Sequence, residues 1–265
     1  MRLLSIASGS SGNSIYVGDE DTHILVDSGI SKKRIEEGIH KAQIGCEDLD
    51  AILITHEHSD HIRSLGVMAR RYHLPIYATA ATLEAIRRDP SVGTFEKDLC
   101  IPIRPDEPFS IGSIGVTAFR IYHDAADPVG FRLSSGSRSV AVSTDIGHYD
   151  QYLIDHLQGL DALLIEANHD IRMLEAGPYP YYLKRRILGE LGHMSNDSCG
   201  RLLCSVLHDK LKYVLLGHLS KENNYPDLAW ETVRCEIHEE DCGYEPGDFD
   251  IRVAGRDAPG EVLMV

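Results

Sequence analysis

An α/β fold of two sheets packed together, with helices on both outer faces, fits the order of elements in this 265-residue chain. Three observations carry that expectation. Short apolar runs of strand length alternate with longer mixed segments towards both ends of the chain. A β-rich stretch over 100–143, punctuated by Gly and Pro, separates those two βα-rich halves. No internal repeat, low-complexity tract or linker interrupts them. Periodicity alone does not choose this arrangement over an open α/β sheet.

In chain order, residues 2–7, 14–18 and 22–26 read as strands, and the Gly/Ser stretch at 8–13 turns between the first two. A helix is expected over 32–43, with Ser31 as its cap. Residues 51–54 form a buried strand that ends directly at a histidine-rich loop, and 62–72 look helical. A strand at 76–78 and a helix at 80–88 follow. In the β-rich middle, strands are expected at 100–103, 113–121, 129–134 and 138–143. Helices then return at 150–158, 180–190, 196–208 and 226–240, separated by strands at 161–165 and 213–216, with a last strand at 249–254.

Composition narrows the function classes. Hydrophobic residues make up 43% and charged residues 25%, which is globular and not disordered composition. Lys+Arg number 26 and Asp+Glu 41, a formal charge of −15. That balance argues against nucleic-acid binding through a broad basic face, but not against a nuclease that grips phosphates locally. No apolar run has the length of a membrane span, so no membrane partner is expected. The apolar start, Met1 to Ser8, is too short for a signal peptide. The six cysteines form no CxxC pair, so reduced thiols in a cytoplasmic protein are expected, without zinc ligation by Cys. Histidine, at 14 residues, is in excess.

Much of that excess gathers in one segment, Thr55-His56-Glu57-His58-Ser59-Asp60-His61. Four donors in six residues at a strand end can turn His56 and His58 towards one ion, and Asp60 and His61 towards a second. Imidazole and carboxylate suit zinc, and also manganese or iron. The alternative is a solvated His-rich loop.

This HxHxDH pattern resembles the signature of the metallo-β-lactamase superfamily, and the other superfamily motifs follow in matching order over about residues 2–254. The resemblance implies a four-layer αββα sandwich, two mixed sheets flanked by helices, as a single domain over 1–265. It also implies roles. Asp27, in Leu25-Val26-Asp27-Ser28-Gly29, supports the metal loop from behind. His123 is a ligand of the first metal, Asp145 a bridging carboxylate, and His218 a ligand of the second metal. The first of two divalent ions would then take His56, His58, His123 and Asp145, and the second Asp60, His61, Asp145 and His218, with a bridging hydroxide as nucleophile. An Asp at 145, where the β-lactam-hydrolysing enzymes have Cys, resembles the thioester and phosphodiester hydrolases. His58 stands where flavodiiron oxidoreductases carry Glu.

Spacing narrows the branch. His123 to Asp145 is 22 residues, too short for the tRNA-gripping arm of RNase Z enzymes. Asp145 to His218 is 73 residues, too short for the β-CASP insert of RNase J-like nucleases. No glyoxalase II-type helical domain is evident. The segments Ser8–Ser14, Leu164–Asp170, Gly192–Asn196 and Gly217–Asn224 resemble the YycJ/WalJ family, bacterial single-domain proteins regarded as DNA exonucleases. The resemblance implies a metal-dependent phosphodiesterase digesting DNA from a 5′ end, with Asp60 and His193 in catalytic roles.

Further residues are candidates on their own chemistry. His193, before a helix start capped by Ser195 or Asn196, can meet a phosphate oxygen or protonate a leaving oxygen; the alternative is a structural His on a carbonyl. The turn Ser11-Gly12-Asn13 can offer backbone N–H groups to a phosphate, or be a plain turn. Glu166 is expected to hold a histidine ligand from behind or cap a helix, and His169 to lie in the same supporting shell. Lys184, Arg185 and Arg186, after Tyr181 and Tyr182, can stack bases and hold phosphates, or form a solvated helix face. Two other classes stay open. A hydrolase of a cyclic phosphodiester, lactone or thioester suits the −15 charge. A non-enzymatic regulator is disfavoured by the complete ligand set. The sequence does not give the oligomeric state. If the chain is a nuclease, its positive potential must be confined near the metals.

Overall fold

Two seven-stranded sheets lie face to face, and every element can be assigned because the computed structural model describes residues 1–265 throughout. The first sheet begins as an antiparallel meander of β1 (Arg2–Ala7), β2 (Ser14–Gly18) and β3 (His23–Val26), and continues in parallel with β4 (Ala51–Leu53), β5 (Ile76–Thr79) and β6 (Cys100–Ile103). Its helices are α1 (Lys32–Lys41), α2 (Ser59–Ile62), α3 (Leu65–Tyr72) and α4 (Ala80–Arg88). The second sheet repeats the plan. An antiparallel run of β7 (Phe109–Ile111), β8 (Ile114–Arg120), β9 (Val129–Ser135) and β10 (Arg138–Ser143) is followed by parallel β11 (Ala162–Glu166), β12 (Tyr213–Gly217) and β13 (Asp250–Val253). Its helices are α5 (Gln151–Leu157), α6 (Ile171–Ala176), α7 (Tyr181–Ile187), α8 (Asn196–Val206) and α9 (Pro226–Glu239). A last strand, β14 (Leu263–Met264), returns to the first sheet beside β1. No helix is long and apolar enough to cross a membrane.

The strands are apolar on both faces because each sheet is covered twice. In β3, Ile24 and Val26 point between the sheets while Leu25 points to the outer layer under α1, α3 and α4. In β11, Ala162 and Leu164 face the inter-sheet core, and Leu163 and Ile165 face α5, α8 and α9. Side chains alternate across a strand, so one continuous apolar run serves two cores. Each fully buried Leu, Ile or Val contributes about 1.5–3 kcal/mol. This settles the open choice left by periodicity in favour of the αββα sandwich.

Departures from the expected elements have local causes. The helix expected over 62–72 arrives as α2 and α3, because the Ser64 N–H donates to Ser28 O and the Ser64 hydroxyl to Ile30 O, anchoring the break to the loop after β3. The helix expected over 180–190 stops at Ile187, and the chain doubles back so that His193 N–H donates to Ile187 O. Three elements were unexpected. β7 is only three residues long and pairs through the turn at Gly112, whose φ of 52° suits glycine. The partner of β14 lies at the far end of the chain. α6 is a six-residue helix capped by Asp170, which accepts from Met173 N–H.

Asp19 stitches the sheets together from the β2–β3 turn. Its carboxylate accepts from the Ser113 and Ser135 hydroxyls, both at 2.7 Å, and from Asp21 and Thr22 N–H. Burial pushes its pKa up, but these donors outweigh it and bring it down to about 2. A depressed carboxylate stabilises the fold above its ordinary pKa and loses that contribution as pH falls through the lowered one. Asp19→Ala is therefore expected to destabilise by about 1–2 kcal/mol at neutral pH. The difference from wild type in urea denaturation should shrink between pH 4 and pH 2.

Candidate active site

Eight side chains with donor atoms meet at one end of the sandwich, because the carboxyl ends of β3, β4, β10, β11 and β12 all open there. The loop after β4 carries His56, His58, Asp60 and His61; Asp145 follows β10, Glu166 ends β11, His218 follows β12, and His123 comes from the loop after β8. Asp27, Asp145 and His218 each stand just beyond a strand with φ of 61°, 62° and 55°. That left-handed conformation is uncommon for non-glycine residues and concentrates at functional sites. Here it turns the chain sharply enough to aim the side chain back over the strand end.

The donor atoms form overlapping groups, each within 4.8 Å: His56 with His58 and His123; His56 with His61 and Asp145; Asp60 with His61 and His218. Asp145 joins the groups. Its Oδ1 lies 3.6 Å from His123 Nε2 and 3.5 Å from His218 Nε2, and its Oδ2 lies 3.3 Å from His61 Nε2.

All the candidate ligand imidazoles but His58 place one nitrogen on a protein partner and turn the other to the cluster. His61 Nδ1 donates to Asp27 Oδ2 at 2.7 Å, His218 Nδ1 to Glu166 Oε1 at 2.9 Å and His123 Nδ1 to Gly192 O at 3.0 Å. His56 Nδ1 meets the Thr55 hydroxyl at 3.1 Å, and its Nε2 is buried without a hydrogen bond, while Asp145 Oδ2 has only the 3.3 Å approach of His61 Nε2 and no aligned hydrogen bond. His58 Nδ1 and His123 Nε2 face each other at 3.3 Å. Buried donor atoms left without a hydrogen bond, such as His56 Nε2 and Asp145 Oδ2, are unfavourable unless a cation meets them, and outward Nδ1 bonds are how proteins orient metal-binding histidines. The donor set therefore fits divalent metal ions.

The electrostatics agree. Burial would raise the Asp145 carboxyl, yet His218 and His61 hold it well below the usual carboxylate range. Burial works the same way on Asp60, and His61 and His218 overcome it to bring it to about 2. Burial lowers His56 well below its ordinary value and lowers His123, favouring the neutral form that ligates metals, whereas against burial Asp27 and Asp145 raise His61, and Asp145 and Asp60 bring His218 up to about 10.

A supporting layer fixes these groups. Asp27, fully buried, also accepts from Thr55 N–H and the Thr55 hydroxyl. A Cβ on Gly29 would overlap the Asp60 carbonyl, so only glycine lets the β3 loop pass under α2. Glu166 bridges the second sheet's donors: Oε1 accepts from both His218 Nδ1 and His193 Nδ1, and Oε2 from Ile146 and Met194 N–H. Burial raises its pKa, but His193 and His218 carry it down to about 2. Asn13, Thr55 and Asn168 also belong to this layer, and only Asn13 was singled out from sequence. Asn168 Nδ2 donates to His218 O at 2.8 Å.

Other expected site residues fall differently. Gly12 N–H donates to Gly9 O and Asn13 N–H to Asp60 O, while Asn13 Nδ2 lies 3.1 Å from His61 Nε2. The Ser11-Gly12-Asn13 turn is thus a brace for the α2 loop, with two of its N–H groups turned inward and not held out to a phosphate; Ser11 is exposed. His169 hydrogen-bonds to Asn168 and reaches the donors only through it, one step further back than expected. His193 lies at the rim, its side chain 16% exposed against 0–2% for His61, His123, Asp145 and His218. Ser195 caps α8 by accepting from Ser198 N–H, which settles the choice between Ser195 and Asn196. Arg186 is paired bidentately with Asp124 at 2.5 and 2.9 Å, so its guanidinium is not the free cation the sequence suggested. Lys184 Nζ donates to Glu175 O at 2.6 Å, and Arg185 makes no ion pair.

Comparison with known proteins agrees with this geometry. Residues 22–218 match the model of the β-lactamase superfamily domain. The solved metallo-β-lactamase fold protein YhfI of Bacillus subtilis superposes with a TM-score of 0.70 at 20% identity, over 98% of each chain. The chain belongs to the β-lactamase superfamily and has the metallo-β-lactamase fold. Within it, the chain is 37% identical to exodeoxyribonuclease YycJ of Bacillus anthracis, over 98% of this chain and 97% of the relative. It is 38% identical to exodeoxyribonuclease WalJ of Streptococcus pneumoniae, over 90% and 88%. It is a member of the YycJ/WalJ family.

Removing Asp27 leaves the His61 N–H and Thr55 N–H buried without an acceptor. Asp27→Ala is expected to weaken zinc binding about 10–100-fold, measured by competition with a chromogenic chelator. Wild-type affinity in that variant would show that Asp27 does not orient His61.

Proposed function

We propose that this chain is a dinuclear metal-dependent phosphodiesterase, an exodeoxyribonuclease that digests DNA from a 5′ end. The observation that carries this reading is Asp145, a buried carboxylate that belongs to two of the donor groups, one with His56 and His61 and one with Glu166, His193 and His218. His56, His58, His123 and Asp145 would hold one ion, and Asp60, His61, Asp145 and His218 the other, with zinc or manganese the best match to imidazole and carboxylate and iron also compatible. Two ions there would lower the pKa of a water and neutralise charge gathering on a phosphate. DNA as the substrate is supported by the names of YycJ and WalJ.

The protein's own residues do the rest. Asp60, ionised throughout the neutral range, orients the attacking water by accepting its hydrogen. His193 is fixed by Glu166 at Nδ1, so its Nε2 is directed to the substrate. In the protonated form Nε2 donates to the leaving oxygen as a general acid, and Glu166 stabilises the imidazolium. Asp27 keeps the donor loop in place. Residues 1–265 act as one domain, and the unpaired cysteines support a reducing, cytoplasmic setting. A small-molecule phosphodiester, lactone or thioester hydrolase is the second reading, favoured by the −15 charge.

Metal-stripped protein should regain cleavage of 5′-phosphorylated DNA when manganese or zinc is added, with mononucleotides released from the 5′ end; release from the 3′ end would overturn the polarity. His58→Ala should abolish activity, and full activity in that variant would sink the ligand assignment. His193→Ala should keep two bound metals per chain by elemental analysis while kcat falls about 10²–10⁴-fold. Loss of a metal ion instead would make His193 a ligand.

A further inference from the structure

Helix α7 and the segment that follows it carry features the catalytic reading leaves unused. Tyr181 and Tyr182 are 76% and 75% exposed, far more than large aromatic side chains usually are. Tyr181, Arg185 and Leu188 recur at i, i+4 and i+7, so they share one helix face. With Lys184 and Glu175 they line a shallow groove. Among the three consecutive cations, Arg186 is neutralised by Asp124, but Arg185 has no ion pair and Lys184 is bonded only to a backbone carbonyl. In a chain of −15 these are two positive charges without an ion pair, facing one acid, Glu175, beside two open aromatic rings.

The neighbouring side of α7, which carries Arg186, borders the site. Asp124, the partner of Arg186, adjoins His123, and its Oδ1 lies 3.4 Å from His123 Nε2. The segment after α7 offers three successive carbonyls to the donor loops: Glu190 O to His148 Nδ1, Leu191 O to Asp124 N–H, and Gly192 O to His123 Nδ1. His193 comes next. A Cβ on Gly192 would overlap the Ile187 and Arg186 carbonyls, so the segment lies against the end of α7.

We infer that the Tyr181–Arg185 face of α7 is the platform on which the single-stranded end of a DNA substrate lies before its terminal phosphodiester enters the site. This rests on the exodeoxyribonuclease reading. A ring can stack a base, and Lys184 and Arg185 can meet its phosphates, without base-specific contacts. Tyr181 precedes Arg186 by five residues, about 7.5 Å along the helix, or roughly two nucleotides at 3.4 Å each. The cations answer the demand that a strongly acidic chain confine its positive potential near the metals. A protein partner is less well matched, because the face offers charge and amphipathic rings around little apolar area.

The test is fluorescence anisotropy with the metal-loaded protein and a 5′-phosphorylated oligothymidylate made cleavage-resistant by phosphorothioate linkages. The double variant Tyr181→Ala/Tyr182→Ala should raise Kd about tenfold, since stacking of a base is worth on the order of 1–3 kcal/mol. The slope of log K against log salt should stay as in wild type. Lys184→Gln/Arg185→Gln should reduce that slope by about 1.4, roughly 0.7 for each lost phosphate contact. Tyr181, Tyr182 and Arg185 are exposed, so thermal melting of variants at these positions should be unaltered, and because Lys184 is half-buried and bonded to Glu175 O, Arg185→Gln alone, which should lower the slope by about 0.7, keeps folding from confounding the result. Affinity within twofold of wild type in both variants overturns the platform. So does a change of oligomeric mass on size exclusion with DNA affinity unchanged, which makes the face a self-association surface. Failure of the exodeoxyribonuclease reading is separate: the wild type itself would then neither bind nor cleave DNA.

Discussion

The site depends on the burial of Asp145. One carboxylate, almost wholly removed from water, lies within 3.3–3.7 Å of imidazoles from both sheets: His61 from the first, and His123, His193 and His218 from the second. An isolated carboxylate in such a place is strongly disfavoured. It is stable only with positive charge around it, and the chain supplies a shell of histidines, of which His61, His123 and His218 have their second nitrogens committed elsewhere. The same requirement makes the spot suited to divalent ions and ties the two sheets together at their open end.

A graded support surrounds that centre. Asp27 and Thr55 fix the first sheet's histidines, and Glu166 fixes His218 and His193 together. The two carboxylates, Asp27 and Glu166, occupy comparable places behind the two sheets, each at or just beyond a strand end. Glu166 differs in serving a donor of the cluster and the rim histidine at once. Orientation of the group that would meet the leaving oxygen is thus coupled to orientation of the metal-facing His218. The backbone contributes as well. Three residues of the site hold left-handed conformations, strain of about 1–3 kcal/mol each, which the dense packing of the strand ends offsets.

Much of this was legible beforehand. Strand-length apolar runs, a histidine-rich loop directly after one of them and the order of the later His and Asp residues are local features, and local features survive in one dimension. The strands of β3, β4, β10, β11 and β12 matched expectation to within a residue or two. β7 and β14 did not show, because three or two residues carry no periodicity and their pairing is decided by the partner strand. The helix over 62–72 was split by Ser64 bonding to the loop after β3, a contact no helical pattern reports.

What the sequence by itself determined is the set of chemical groups and the sheet faces: which donors exist, and that doubly apolar strands must be covered on both sides. The tertiary structure alone decided which groups are free. Arg186 reads as a cation and is neutralised by Asp124, 62 residues away. The Ser11-Gly12-Asn13 turn reads as a phosphate cradle and is a brace under Asp60. Glu166 reads as one supporting acid and holds two histidines. Hydrogen bonds and ion pairs saturate, so a side chain's availability depends on what the fold brings beside it, and residue type alone carries no record of that.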